Sequence, residues 1–171
     1  MLLEVGAIIL GMLVSFFLKD INFLSLNFIY PDFLLIFIVY FALRRGEFAG
    51  IWIGFAAGLL EDSNILAFSS SQGKYVPVIG THMLVYCLTG YLLGRFNRII
   101  DRHSMIPIIV VVFVTTLLVR IQVWLVSFVL LQEVNRNYSF LATSVYTALL
   151  APVWFWLLNW VYRYSQEVEK E

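Results

Sequence analysis

The sequence predicts an all-α membrane protein, a bundle of six transmembrane helices, and three observations carry that prediction. The 171-residue chain is 61% hydrophobic, whereas a soluble domain averages about 45–50% apolar. Its mean hydropathy is +0.89, and its long apolar runs are broken only by short polar stretches, as in a chain whose spanning elements are helices. Within those runs small residues recur at four-residue spacing, the pattern by which helices pack when lipid surrounds them. The net charge is zero, which argues against nucleic acid as a partner. The single cysteine, Cys87, leaves no intrachain disulfide and suggests no cysteine metal site. The chain is expected to form one transmembrane domain over residues 1–165, with a short cytoplasmic tail over 166–171.

The first helix is expected over Leu2–Leu18. It lacks a basic n-region and a small-x-small cleavage site, so it reads as a retained helix and not a signal peptide. Ala7, Gly11 and Ser15 form a small-residue stripe along it. Ile21–Tyr30 reads as an aromatic connector at headgroup depth. The second helix opens at Pro31-Asp32. Proline suits the first helical turn, and the carboxylate complements the positive end of the helix dipole. Its apolar run, Phe33 to Leu43, covers only about 17 Å against a hydrocarbon core of roughly 30 Å. Asp32 therefore either caps the helix at membrane depth or sits in a protected pocket.

Arg44-Arg45-Gly46-Glu47 reads as a tight basic turn, with Gly46 supplying the left-handed residue that ends a helix. The third helix then carries Gly50, Gly54 and Gly58, with Asp62 four residues further on. Residues four apart share one helical face, so the stripe is three glycines ending in a carboxylate. It is either a close intramolecular contact or a face that a partner reads. This helix is expected to end at Glu61-Asp62 after about 24 Å, and Ser63–Pro77 reads as a polar loop. The fourth helix, expected over Val78–Phe96, contains Gly80, His82, Gly90 and Gly94. Gly90 and Gly94 again have the close-packing spacing. His82 is expected one turn inside it, either hydrogen-bonded structure or a ligand.

Arg95, Arg98, Arg102 and His103 form a second basic turn. The fifth helix is expected over Ile106–Leu131 with Arg120 inside it; an arginine there needs protein, water or a partner. The sixth is expected over Phe140–Tyr162, kinked at Pro152, with Trp154, Trp156, Trp160 and Tyr162 approaching an interface. Six spans place Arg44, Arg45, Arg95, Arg98, Arg102, Arg163 and Lys170 on one side, and Lys19, Lys74 and Arg136 on the other. The basic side is expected to be cytoplasmic, with both termini inside. Asp32, Asp62 and His82 then gather near the outward side. Arg120, about 21 Å into its helix, lies in the outer half. That matching depth suggests an ion pair of Arg120 with Asp62, Asp32 or both.

Together these elements resemble the rod shape-determining protein MreD family. The resemblance lies in Pro31-Asp32 opening an apolar helix, in Gly54-Phe55-x-x-Gly58-x-x-x-Asp62, in Gly80-x-His82-x-Leu84-x-Tyr86, in Gly90-Tyr91-x-x-Gly94, in Pro152, and in the Tyr162-Arg163 end. It covers nearly the whole chain. One departure is the Ser63–Ile79 segment, longer than the few residues usual there. The resemblance implies a non-catalytic protein of the bacterial inner membrane. Such a protein would bind MreC and help link MreB filaments to RodA and its penicillin-binding transpeptidase, with membrane lipid around it and no cofactor. It also implies a fold similar to the substrate-binding subunits of energy-coupling factor vitamin transporters. That keeps a second function in view, a small-molecule site lined by Asp32, Asp62, His82 and Arg120. Intramembrane catalysis has no HExxH, GxSxG or GxGD motif behind it. Glu61 and Asp62 splay by about 100° on a helix and so form no dyad.

Overall fold

The computed structural model describes residues 2–19, 29–72, 80–98, 100, 104–131 and 140–168. Six α-helices account for nearly all of them: α1 Leu2–Lys19, α2 Phe33–Arg45, α3 Glu47–Gln72, α4 Thr81–Arg95, α5 Met105–Leu131 and α6 Phe140–Val168. The connector over 20–28, the 101–103 part of the second basic turn and the 132–139 segment lie outside the described residues.

The shortest helix is the hub. Every residue of α2 from Phe33 to Leu43 is buried, and α2 contacts each of the other five helices. A helix that is apolar all round has no face to offer water; here neighbours fill every side. Leu34, Phe37, Ile38 and Phe41 pack with Ile53 and Ala57 of α3, Val85 and Tyr86 of α4, and Val119 and Val123 of α5. Phe33, Ile36, Val39 and Leu43 pack with Ile108 and Val112 of α5 and Ala148 and Ala151 of α6. The small-residue stripe of α1 meets this hub: Gly11 lies under the Phe37 ring and Ser15 is fully buried.

Helix ends follow local chemistry more than hydropathy. Pro31 lies one residue before the α2 N-cap, not in the first turn, because Asp32 takes the cap and its Oδ1 accepts from Leu35 N at 3.0 Å. Gly46 ends α2 at φ 86° and ψ −169°, a region that only glycine enters readily, and its N–H bonds Ala42 O. The φ is positive as expected, but the ψ is extended and not left-handed helical. Of the expected Ser63–Pro77 loop, residues 63–72 are instead helix, and 73–77 lie outside the described residues. Ser63 does not break α3, since its Oγ donates to Leu59 O at 2.7 Å, four residues back. Ser15, Thr89, Thr116 and Ser144 make the same bond inside their helices, which satisfies each hydroxyl without water. The start of α4 is Thr81, so His82 is its second residue and not one turn in.

Among the described residues two helices are long and apolar enough to cross a membrane, Met105–Leu125 and Phe140–Tyr162, and Val5–Leu18 is a shorter apolar helix. The others fail that test for different reasons. α2 and α4 have 13 and 15 residues, about 20 and 22 Å. α3 has 26 residues, but Glu61 and Asp62 interrupt it.

The largest helix–helix interface is α3 on α4. A Cβ added to Gly54 would lie 2.7 Å from the Tyr86 carbonyl carbon, whereas one added to Gly6 meets nothing within 4 Å. Gly54→Leu must therefore push two backbones apart and is expected to lower stability in detergent by about 3 kcal/mol or more. Gly6→Leu should stay within about 0.5 kcal/mol of the parent. Unfolding titrations of the two variants check the contrast.

Candidate functional site

The glycine stripe of α3 lies against α4 in antiparallel register. As α3 advances by four residues its partner on α4 falls back by four: Gly50 meets Gly90, Gly54 meets Tyr86, and Gly58 meets His82 and Met83. In the same register Gly94 meets the backbone of Gly46 and Glu47. Each contact is with backbone, so at these positions no side chain fits between the helices. The four-residue spacing keeps all three α3 glycines on the one face that needs them.

Asp62 occupies the next position of that stripe and meets the N-terminus of α4. Its Oδ2 accepts from Gly80 N at 2.9 Å and from Met83 N at 3.3 Å; its Oδ1 accepts from His82 N at 3.1 Å and lies 2.9 Å from His82 Nδ1. A helix begins with backbone N–H groups that have no partner within it. Gly80, the N-cap of α4, has no side chain to offer them and holds φ 101°. The missing cap thus comes from another helix. Asp62 is only 4% exposed, and its charge is balanced by four donors and by the positive end of the α4 dipole. Since a carboxylate only accepts, His82 donates from Nδ1, which sets its tautomer. His82 is thus hydrogen-bonded structure here.

Asp32 is a second junction. Besides capping α2, its backbone N–H donates to Thr147 Oγ1 at 3.1 Å, and its Oδ2 receives the Tyr86 hydroxyl at 3.4 Å. This one residue joins α2, α4 and α6. Tyr86 also has its ring 6.0 Å from that of His82, so one aromatic side chain lies between the two carboxylate junctions.

The expected ion pair of Arg120 with these acids does not form. Neither Asp32 nor Asp62 has Arg120 among its partners. The physical reason at Asp62 is saturation: an ionised carboxylate offers about four lone-pair sites, and the α4 terminus with His82 uses four. Arg120 is half-buried on α5 and makes its contacts elsewhere. Glu61, set aside in the sequence by its splay from Asp62, is 6% exposed and just as enclosed. Thr147 carried no sequence signal, because nothing in its local pattern links it to a residue 115 positions away.

Arg44, Arg45 and Arg95 lie at the opposite end of the bundle, at the C-termini of α2 and α4. Arg95 Nη1 is 3.7 Å from Glu47 Oε2, Arg44 Nη2 donates to Asn159 Oδ1 at 2.5 Å, and Arg45 bonds the Tyr162 hydroxyl. An open cleft of about 640 Å³ lies here, with Pro152 on its wall. Asp32, Asp62, His82 and Arg120 do not line it, so they do not converge on this cleft as a small-molecule site would require. Among the described residues no group of three or more His, Cys, Asp or Glu could hold a metal ion.

Two outcomes follow for the Asp62 junction. Asp62→Ala strands three half-buried N–H groups and should lower stability by about 3 kcal/mol. Asp62→Asn, which keeps an acceptor oxygen, should lose about half as much, and His82→Ala only about 1 kcal/mol. Thermal unfolding of the purified variants ranks them. Separately, Arg120→Ala and Asp62→Asn should combine additively to within about 0.5 kcal/mol. A coupling energy above about 1 kcal/mol in that double-mutant cycle would restore the ion pair.

No curated protein and no solved structure gave a match to the chain. The family model described as rod shape-determining protein MreD matches residues 2–167. That match spans all six helices, the glycine seam and both carboxylate junctions, and with the apolar helices it points to a membrane protein with a role in cell shape. The chain belongs to the rod shape-determining protein MreD family.

Proposed function

We propose that this chain is a non-catalytic scaffold of the bacterial cell-elongation machinery, a six-span protein of the inner membrane that binds MreC. Through MreC it would help couple MreB filaments to RodA and its penicillin-binding transpeptidase, and so to peptidoglycan synthesis and rod shape. The observation that carries this reading is the family match over residues 2–167, because the family is part of a shape-determining system that includes MreB and MreC.

The chemistry of the helices supports a structural role. The acids and the histidine that could have formed a reactive or ligand-binding group are engaged in holding helix ends together: Asp32 on α2, Asp62 and His82 on α4. The short helices α2 and α4 fit a six-span reading if the bundle encloses them, and α2 is enclosed on every side. Both termini would be cytoplasmic. The end bearing Arg44, Arg45 and Arg95 would face the cytoplasm by the positive-inside rule, and the Asp32–Asp62 end would face outward. The transporter-subunit alternative gains no observation in its favour and is not carried further.

Affinity purification of the tagged chain from its native membrane in mild detergent, with co-purifying proteins identified by mass spectrometry, tests the proposal. Recovery of MreC with RodA and the transpeptidase is expected. Recovery of an ATPase pair with a second transmembrane coupling subunit, and no MreC, would sink it.

A further inference from the structure

Three elements line the cleft at the basic end. The end of α2 contributes Tyr40 and Arg44, the start of α5 contributes Met105 and Ile108, and α6 contributes Pro152 and Asn159. Every α6 residue on the cleft is Pro152 or lies beyond it. We propose that the half of α6 beyond Pro152 is a hinged arm that closes this cleft, and that the Asn159 amide oxygen turns from Arg44 to the Tyr40 hydroxyl as it does.

The hinge follows from the backbone. Pro152 has no N–H for the Ala148 carbonyl and its ring crowds that carbonyl, so α6 is weakened there. The two halves of the helix are also held differently. Before Pro152, Thr143, Ser144, Thr147, Ala148 and Ala151 are all buried, and Thr147 Oγ1 accepts from Asp32 N. From Val153 to Tyr162 only Leu158 and Tyr162 are buried. Arg45 bonds the Tyr162 hydroxyl, which tethers the arm, so its motion is a lean and not a detachment.

The observed state leaves two donors beside the hinge unsatisfied. Tyr40 is 2% exposed and its hydroxyl is buried without a hydrogen-bond partner. The indole N–H of Trp154, two residues past Pro152, is in the same condition. Buried polar groups are nearly always paired, so such a donor gains from a rearrangement that brings it an acceptor. Arg44 lies over the Tyr40 ring, 5.0 Å from its centre, but a guanidinium only donates and cannot take the hydroxyl proton. Asn159 is placed to do so. Its Oδ1 now receives Arg44 Nη2. Phe155, one turn back on the same face of α6, has its ring 5.2 Å from that of Tyr40. Arg44 makes further contacts, so giving up Asn159 does not strand it. Arg44 thus holds the arm out and the Tyr40 hydroxyl draws it in, which gives two states joined by a hinge.

The test uses the full chain in lipid nanodiscs, labelled with 5-fluorotryptophan and read by fluorine NMR. Trp156, on the cleft, reports the arm; Trp52, exposed on α3 and outside the cleft, is the control. Trp156→Phe and Trp52→Phe assign the two resonances. Tyr40→Phe removes only the hydroxyl and should shift Trp156 toward the open state, changing the ratio of states by roughly fivefold, the worth of one hydrogen bond. Arg44→Met should shift Trp156 the opposite way, whether the states give two lines or one averaged line, and Trp52 should stay in place in both. Pro152→Ala restores the backbone bond and should suppress the Trp156 response to either change. A Trp156 resonance that Tyr40→Phe and Arg44→Met leave in place, or move in the same direction, would overturn the proposal. An undiminished response in the Pro152→Ala background would overturn it too, since no hinge would then be needed. No partner enters the experiment, so its outcome is independent of the scaffold reading.

Discussion

Everything else in this bundle depends on two backbones touching. Along the α3–α4 seam Gly50, Gly54 and Gly58 on one helix meet Gly90, Tyr86 and His82–Met83 on the other with no side chain between them. In lipid the hydrophobic effect does not press helices together, so close packing and buried polar contacts must do so. Glycine permits the packing. Asp62, at the end of the same stripe, supplies the polar contact by accepting from the α4 N-terminus. The seam is thus fixed in distance by its glycines and in register by its carboxylate, since a slip by one turn would carry Asp62 away from the α4 N–H groups it accepts from.

That pair of helices creates one side of the enclosure around α2. A 13-residue helix is too short to span a bilayer unaided, and α2 is buried along its whole apolar run. Its two ends then differ sharply. At one end Asp32 gathers Leu35, Thr147 and Tyr86. At the other, Arg44 and Arg45 reach across to Asn159 and Tyr162 of α6. The molecule is an apolar interior held by carboxylate junctions at one end and by arginine–aromatic contacts at the other. The net charge of zero conceals this separation.

The helix order, the glycine face and the capping role of Asp32 were legible because each rests on residues close in sequence. Periodicity places Gly50, Gly54, Gly58 and Asp62 on one stripe regardless of what lies opposite. The readings that failed depended on context. Ser63 to Gln72 looked like a loop by composition, yet back-bonded serine is tolerated inside α3. Arg120 looked matched to Asp62 by depth along the helices, but depth carries no information about rotation around an axis or about which acceptors are already taken. The hydrogen bond from Asp32 N to Thr147 spans 115 positions and joins residues with no local pattern in common.

By itself, then, the sequence determined that this is a helical chain of membrane character, which face of α3 must meet another backbone, and which ends are basic. Local spacing, hydropathy and the conformational demands of glycine suffice for those. Only the tertiary structure decided that α4 is the helix on that face, that Asp62 caps a terminus instead of pairing with Arg120, and that Arg44 and Arg45 of α2 line one cleft with Asn159 and Tyr162 of α6. Those facts depend on how the helices rotate and lean against one another. That arrangement is set by the packing of the whole bundle, not by any single segment.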